Sequence, residues 1–178
     1  MQETIQGNAR VIEGIAALCP ESGVRHSGDA YGNAFHWFHL ETPKNMTEAA
    51  AILKEAGARL CVISAYNPVA GDKATHKELC YHFELKGIVY NVTLTTTDEC
   101  PQVQSITPIF ANADWHEREM MELLGVPIVG HPHPTRLFLD EELDAGLLNE
   151  VVPLSVMMNG ACTTDLWERI LKDKEPNA

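Results

Sequence analysis

Two runs of alternating apolar residues that meet at one glycine constrain this chain more than any other feature in it. Leu79 to Lys86 sets Tyr81, Phe83 and Leu85 on one face, and Ile88 to Thr97 sets Ile88, Tyr90, Val92 and Leu94 on one face. Successive side chains of a strand point to opposite sides, so each run reads as a strand with one buried face. Only Gly87 separates the two cores, which predicts an antiparallel hairpin turning at Lys86-Gly87.

Upstream, Val11, Ile12, Ile15, Ala16 and Leu18 recur at spacings of three and four, predicting a short amphipathic helix from Asn8 to Cys19 that Pro20 stops. Gly28-Asp29 and Gly32-Asn33 divide the stretch from Val24 to Leu40 into two short strands, the second running from Phe35 to Leu40. Thr47-Glu48 opens a second helix of strong helix formers, with Gly57 as its stop. Arg59 to Tyr66 reads as a largely buried strand, followed by a loop at Asn67-Pro68 and Gly71-Asp72.

The order α-β-β-α-β-β-β lacks the regular βαβ alternation of a doubly wound sheet, and no Gly-rich phosphate loop accompanies it. It predicts an α+β fold: a two-layer arrangement with a mixed β-sheet covered by helices, followed by a helix and an irregular C-terminal extension. Residues 1–110 are expected to form the sheet domain, and residues 111–178 to carry a helix and a C-terminal extension that wraps its own domain or docks on a partner, the two making one structural unit. Within that second part, Asn112 to Gly125 is helical and Val126 to Leu139 is Pro- and His-rich and irregular. Val151 to Ala161 is apolar but broken by Pro153, and Thr164 to Lys172 is a last short helix.

Composition narrows the function classes. With 25 acidic side chains against 13 Lys and Arg over 178 residues, the formal net charge is −12, which repels nucleic-acid phosphates and anionic headgroups. Glu3 stands where a signal peptide needs positive charge, and no stretch of about 18 apolar residues occurs, so neither secretion nor membrane insertion is expected. Five cysteines, Cys19, Cys61, Cys80, Cys100 and Cys162, form no close pair. Zinc and iron–sulfur sites are therefore not expected, and reduced thiols filling core positions in a reducing cytoplasm are.

The chemistry concentrates between Asp114 and Phe138. Asp114, with Glu117 three residues on, resembles a capping box, and Gly125 with Pro127 ends the helix. Met120, Met121, Leu123 and Leu124 make an apolar arc in which Glu117 also falls. Arg118, Glu119 and Glu122 lie opposite, around Trp115, with Arg118 and Glu122 four apart and able to pair. A carboxylate on an apolar face needs a partner, because an isolated buried charge is expensive. For Glu117 the choices are helical amides, Arg136 after the chain turns back, or another subunit.

The series Glu117-Arg118-Glu119, Glu122-Leu123-Leu124-Gly125 and Gly130-His131-Pro132, with Arg136 following, resembles the signature of the 30-kilodalton subunit family of respiratory complex I. That subunit, designated C, belongs to NADH:quinone oxidoreductase, and its domain also occurs in energy-converting nickel–iron hydrogenases and formate hydrogenlyases. The chain departs from that signature at Thr135-Arg136, where two consecutive basic residues are usual, and at His133, where an acid is common. The stretch Glu150 to Ser155 also keeps a Pro-Leu pair without the basic residues that often follow it.

The resemblance implies a non-catalytic accessory subunit with no cofactor of its own. It would sit on the cytoplasmic side, peripheral to the inner face of the membrane through its complex, beside a large catalytic subunit and iron–sulfur subunits. Glu117, Arg118, Glu119, Glu122, His131, Pro132 and Arg136 would form the subunit interface.

The rival is a stand-alone metal-binding enzyme built on His131 and His133, with His116 and Glu117 joining them. A zinc site needs three or four ligands and a supporting shell, and no close Cys pair or Glu-x-x-His pattern provides them. His36 and His39, three apart in a strand, face opposite sides and do not chelate together. A Cys–His nucleophile would lack any local elbow motif, and Glu117 and Glu119 point to different sides of one helix, which argues against an acid–base pair. A third option is a subunit-like domain that has lost its complex.

Overall fold

A computed structural model describes residues 2–67, 76–97, 99–140 and 145–146. The hairpin forms as the alternation predicts: β4 (Glu78–Leu85) and β5 (Ile88–Thr95) pair antiparallel, with Leu85 opposite Ile88. Lys86 and Gly87 both take left-handed backbone, at φ 52° and 80°. This is the conformation a two-residue hairpin turn requires, and glycine reaches it without strain.

Three more strands complete the sheet. β1 (Val24–Gly28) and β2 (Ala34–His39) form an antiparallel ribbon, β2 joins β5 in parallel, and β3 (Arg59–Tyr66) pairs antiparallel with β4. The spatial order is β1-β2-β5-β4-β3, a mixed sheet with β1 and β3 at its edges. The parallel β2–β5 seam is possible because α2 (Met46–Glu55) lies in the connection between them.

α1 (Gln2–Ala16) and α2 pack together on one face. Val11 and Ile15 of α1 and Met46, Ala49, Ala50 and Leu53 of α2 close over Phe38, Leu79, Tyr81, Phe83, Tyr90, Val92 and Leu94 of the sheet. Each large apolar side chain withdrawn in this way contributes roughly 1.5–3 kcal/mol. The α+β class, the two layers and the element order are therefore as expected.

Three local expectations change. α1 begins at Gln2 and its regular part ends at Ala16, because Leu18 and Cys19 donate to Ile15 and Ala16 in a tightened last turn. β3 is an exposed edge strand in which only Leu60 and Ile63 are buried. A bulge between Leu60 and Val62 turns Cys61 and Val62 both outward, so two residues three apart share the inner face. Of the cysteines described, only Cys80 is buried; Cys61 is exposed, and Cys19 and Cys100 are half-buried.

Beyond β5, β6 (Val103–Gln104) leads to α3 (Ala113–Leu124), which packs on β3. β7 (Ile128–Val129) then pairs in parallel with β6, giving one regular element to a stretch expected to be irregular. The loop through Pro68 and Gly71-Asp72, the apolar run Val151 to Ala161, Cys162 and the helix expected over Thr164 to Lys172 lie outside the described residues. No helix among the described residues is long and apolar enough to cross a membrane.

Candidate functional site

α3 is the element on which the charged motif stands. Asn112 precedes it but does not cap it; its Nδ2 donates instead to Leu60 O at 2.9 Å and ties the start of the helix to β3. Glu117 does not complete a capping box either. It is fully buried and turned inward, accepting from Ser105 Oγ at 2.5 Å, Ile106 N at 2.7 Å and Thr107 Oγ1 at 2.9 Å. The 105–107 loop is carried to that position by β6 and β7, where Val103 N donates to Pro127 O and Ser105 N to Val129 O. A buried carboxylate with three donors replaces the solvation it lost. Its charge also acts on Tyr81, whose hydroxyl is pushed up by burial and further by Glu117.

His131 closes the same pocket, its side chain withdrawn from solvent. Its Nδ1 accepts from His133 N at 3.0 Å, so the ring hydrogen sits on Nε2. Nε2 itself lies 3.3 Å from Asp114 O, 3.6 Å from Asp114 Oδ1 and 3.7 Å from Glu117 Oε2.

The chain after Gly130 is clamped back onto α3 by two side chains. Arg118 donates through Nε to Thr135 O and through Nη2 to Arg136 O, both at 2.7 Å, and its Nη1 lies 3.4 Å from Asp114 Oδ2. Glu122, also buried, receives Leu137 N at 2.8 Å, Phe138 N at 3.0 Å and Leu139 N. Three consecutive amides around one carboxylate form an anion nest filled by the chain itself. Burial works against the Glu122 charge, but the amides of Leu139, Leu137 and Phe138 and the nearby Arg136 outweigh it and hold the carboxyl below its usual range. The expected Arg118–Glu122 pair therefore does not form. Returning backbone carbonyls take the guanidinium and returning amides take the carboxylate, and Glu122 sits inside rather than on the solvated side.

The remaining interface candidates face outward. Glu119 is exposed at the rim of a groove between α3 and β3 that His116 also lines, and Pro132 is exposed. Arg136 is half-buried and donates to Asp140 O at 2.8 Å. Trp115 and Phe138 stand 64% and 66% exposed. Nothing in the spacing singles out Phe138 beyond its place at the end of the segment. For Ser105 and Thr107 the sequence offers one signal, the unmet need of Glu117 for donors.

Among the described residues, the metal and nucleophile sets are not assembled. His133 is 78% exposed while His131 is buried, and His116 lines the groove towards β3. Among the described residues, no group of three His, Cys, Asp or Glu side chains is placed to hold a metal. Cys80 Sγ lies 3.8 Å from His82 Nδ1, but burial, with Glu78 adding to it, pushes the thiol up to about 11, away from the reactive thiolate. His82 is instead held between Asn91 Oδ1 at 2.7 Å and Ser64 Oγ at 3.0 Å on the open face of the sheet, beside a cleft of about 700 Å³. Glu117 and Glu119 do point apart, one into the core and one into solvent. The arrangement around α3 thus fixes the course of a polypeptide, and its buried charged groups are already engaged.

Comparison with known proteins bears on that motif. A family model described as the 30 Kd subunit of respiratory-chain NADH dehydrogenase matches residues 41–161, which include α3 and the bend after it. An NADH-quinone oxidoreductase subunit of Nocardioides sp., the one designated C, is 25% identical over 144 residues, covering 74% of this chain and 55% of that protein. An NADH-quinone oxidoreductase subunit of Erwinia tasmaniensis, the one designated C/D, is 35% identical over 88 residues, covering 47% of this chain and 14% of that protein. The chain therefore spans between about a seventh and just over half the length of these two relatives. Among solved structures, a chain of the membrane-bound sulfane sulfur reductase, an archaeal respiratory membrane complex, superposes with a TM-score of 0.55 at 17% identity, covering 76% of this chain and 78% of that one. At that identity the likeness concerns the fold.

Proposed function

The chain belongs to the family of the 30-kilodalton subunit of respiratory-chain NADH dehydrogenase, and on that premise we propose that it is a non-catalytic accessory subunit of a complex I-like, membrane-associated oxidoreductase. The parent assembly is of the NADH:quinone type or of the energy-converting hydrogenase and formate hydrogenlyase type. This subunit docks beside the large catalytic subunit and the iron–sulfur subunits, at the cytoplasmic face of the membrane, and reaches the membrane only through them.

The observation that carries this reading is the clamped bend inside the matched span. Arg118 and Glu122 fix residues 135–139, and Trp115 and Phe138 remain in solvent. Large exposed aromatics on a rigid support are the side chains that anchor protein interfaces. Of the seven interface residues, Glu117, Arg118, Glu122 and His131 act by shaping this surface from within. Glu119, Pro132 and Arg136 meet the partner from its rim.

Co-purification tests this. The tagged full chain, expressed with the large subunit, is expected to bring that subunit down, while Phe138→Ser and Arg118→Ala lose it and keep the circular dichroism of the sheet. Normal assembly by both variants would show that the bend does not dock.

A further inference from the structure

His36 and His39 stand on opposite faces of β2, as their spacing predicts, and the fold gives His36 a partner from the neighbouring strand. β1 and β2 place His26 directly opposite His36. Opposed residues of an antiparallel pair keep their Cβ atoms about 4.5–5.5 Å apart. Here the two Nδ1 atoms converge to 2.5 Å, with ring centroids 4.6 Å apart and planes at 84°. Two nitrogens so close leave room for one hydrogen between them, or for a cation once both lone pairs turn to the same point.

The pair has one fixed and one accessible member. His36 is half-buried and lies against Tyr90 at 5.1 Å and Phe38 at 6.4 Å between ring centroids, which holds its ring on the inner face of the sheet. His26 is exposed and can turn to meet an arriving ion. The site stands at the β1 edge, while α3 packs on β3 at the other edge, so it is independent of the docking bend.

We propose that His26 and His36 form a cross-strand chelate for one divalent transition cation of the imidazole-preferring class, Zn²⁺, Ni²⁺ or Cu²⁺. Both rings coordinate through Nδ1 and water fills the other positions; with two protein ligands instead of the three or four of a resident zinc site, the cation is held weakly and exchanges with solvent. No third His, Cys, Asp or Glu completes the set among the described residues, so the oxygen-seeking Mg²⁺ and Ca²⁺ have nothing to bind here. Metal–nitrogen bonds of about 2.0–2.1 Å require the two nitrogens to open slightly, which the exposed ring of His26 permits. Coordination needs both rings with their hydrogen on Nε2. A neutral pair moves its bridging hydrogen there through solvent, whereas a protonated pair already holds both Nε2 hydrogens and gives its bridging proton to water.

Calorimetric titration of the chelator-treated full chain with Zn²⁺ tests the site, with Cu²⁺ spin resonance as a second readout. One equivalent is expected, weakened about tenfold or more by His26→Gln and by His36→Gln and unchanged by His133→Gln. The Cu²⁺ signal of the unaltered chain should show coupling to two nitrogens, falling to one in either variant. His26 is exposed, so its replacement leaves the fold intact. Unchanged affinity in both variants, or no saturable binding, would overturn the proposal.

Discussion

The sheet and the α3 bend bury side chains by opposite chemistry. In the sheet, Phe38, Leu79, Tyr81, Phe83, Val92 and Leu94 are wholly withdrawn from water, and their contribution grows with area and needs no particular partner. In the bend, the withdrawn groups include Glu117 and Glu122, each fixed by donors from a segment that is distant in sequence. Apolar burial degrades by degrees when it is trimmed. Carboxylate burial is favourable only while its donors stay in place, and each donor is then also committed to the carboxylate.

Glu117 is where this contrast can be broken most forcefully. Glu117→Ala strands the Ser105, Ile106 and Thr107 donors and is expected to lose about 3–5 kcal/mol in denaturant melts. Leu79→Ala, which removes only apolar contacts, should lose about 2–5 kcal/mol. The two separate on repair: adding Ser105→Ala and Thr107→Val should recover part of the Glu117→Ala loss and none of the Leu79→Ala loss. A triple variant no more stable than Glu117→Ala alone would show that stranded donors are not the origin.

Acid sharpens the comparison at Glu122. Its carboxyl is held below its usual range in the fold, so its contribution is complete above the unfolded value of about 4.3 and disappears as pH falls through the lower folded value. Hydrogen exchange at the amides of Leu137, Phe138 and Leu139 should therefore lose protection below about pH 4, while β4 and β5 keep theirs. In Glu122→Gln the same amides should already be less protected at neutral pH. Equal protection in this variant would contradict the nest.

The smallest effect lies where the two chemistries touch. Tyr81 and Tyr90 bury hydroxyls that find no hydrogen-bond partner among the described residues, and that of Tyr81 also lies in the field of Glu117. Tyr81→Phe should be neutral or stabilising by about 1 kcal/mol in thermal melts, since it removes a buried polar group that gains nothing. A clear loss would reveal a partner for the hydroxyl.

These differences also decide what the sequence makes legible. In β4 and β5 every alternate residue faces the helices, so period two and one glycine are sufficient. β3 carries the same residue types, yet its bulge puts Leu60 and Ile63 on one side, and an alternation count across Cys61 and Val62 misreads the strand as buried. The helix α3, its end at Gly125 and the oddity of Glu117 are all visible in its spacing. What meets Glu117 is not, because β6 and β7 are two residues each and pair Val103 with Ile128, too short to leave a periodic trace. The Arg118–Glu122 pairing is a sound local expectation that tertiary structure overrides, since backbone from residues 135–139 reaches both side chains first.

The parallel seam between β2 and β5 has a consequence for how the chain assembles. The β4–β5 hairpin closes across two residues, whereas pairing Phe35 with Val89 encloses more than fifty. Closing that larger loop costs about 3 kcal/mol of chain entropy before any contact rewards it. During synthesis the β1–β2 ribbon leaves the ribosome first, with the edge beside Phe38 unmet, and waits for β5 to emerge. Until β5 is made the inner edge of β2 has nothing to pair with, so this seam is expected to be among the last parts of the sheet to close.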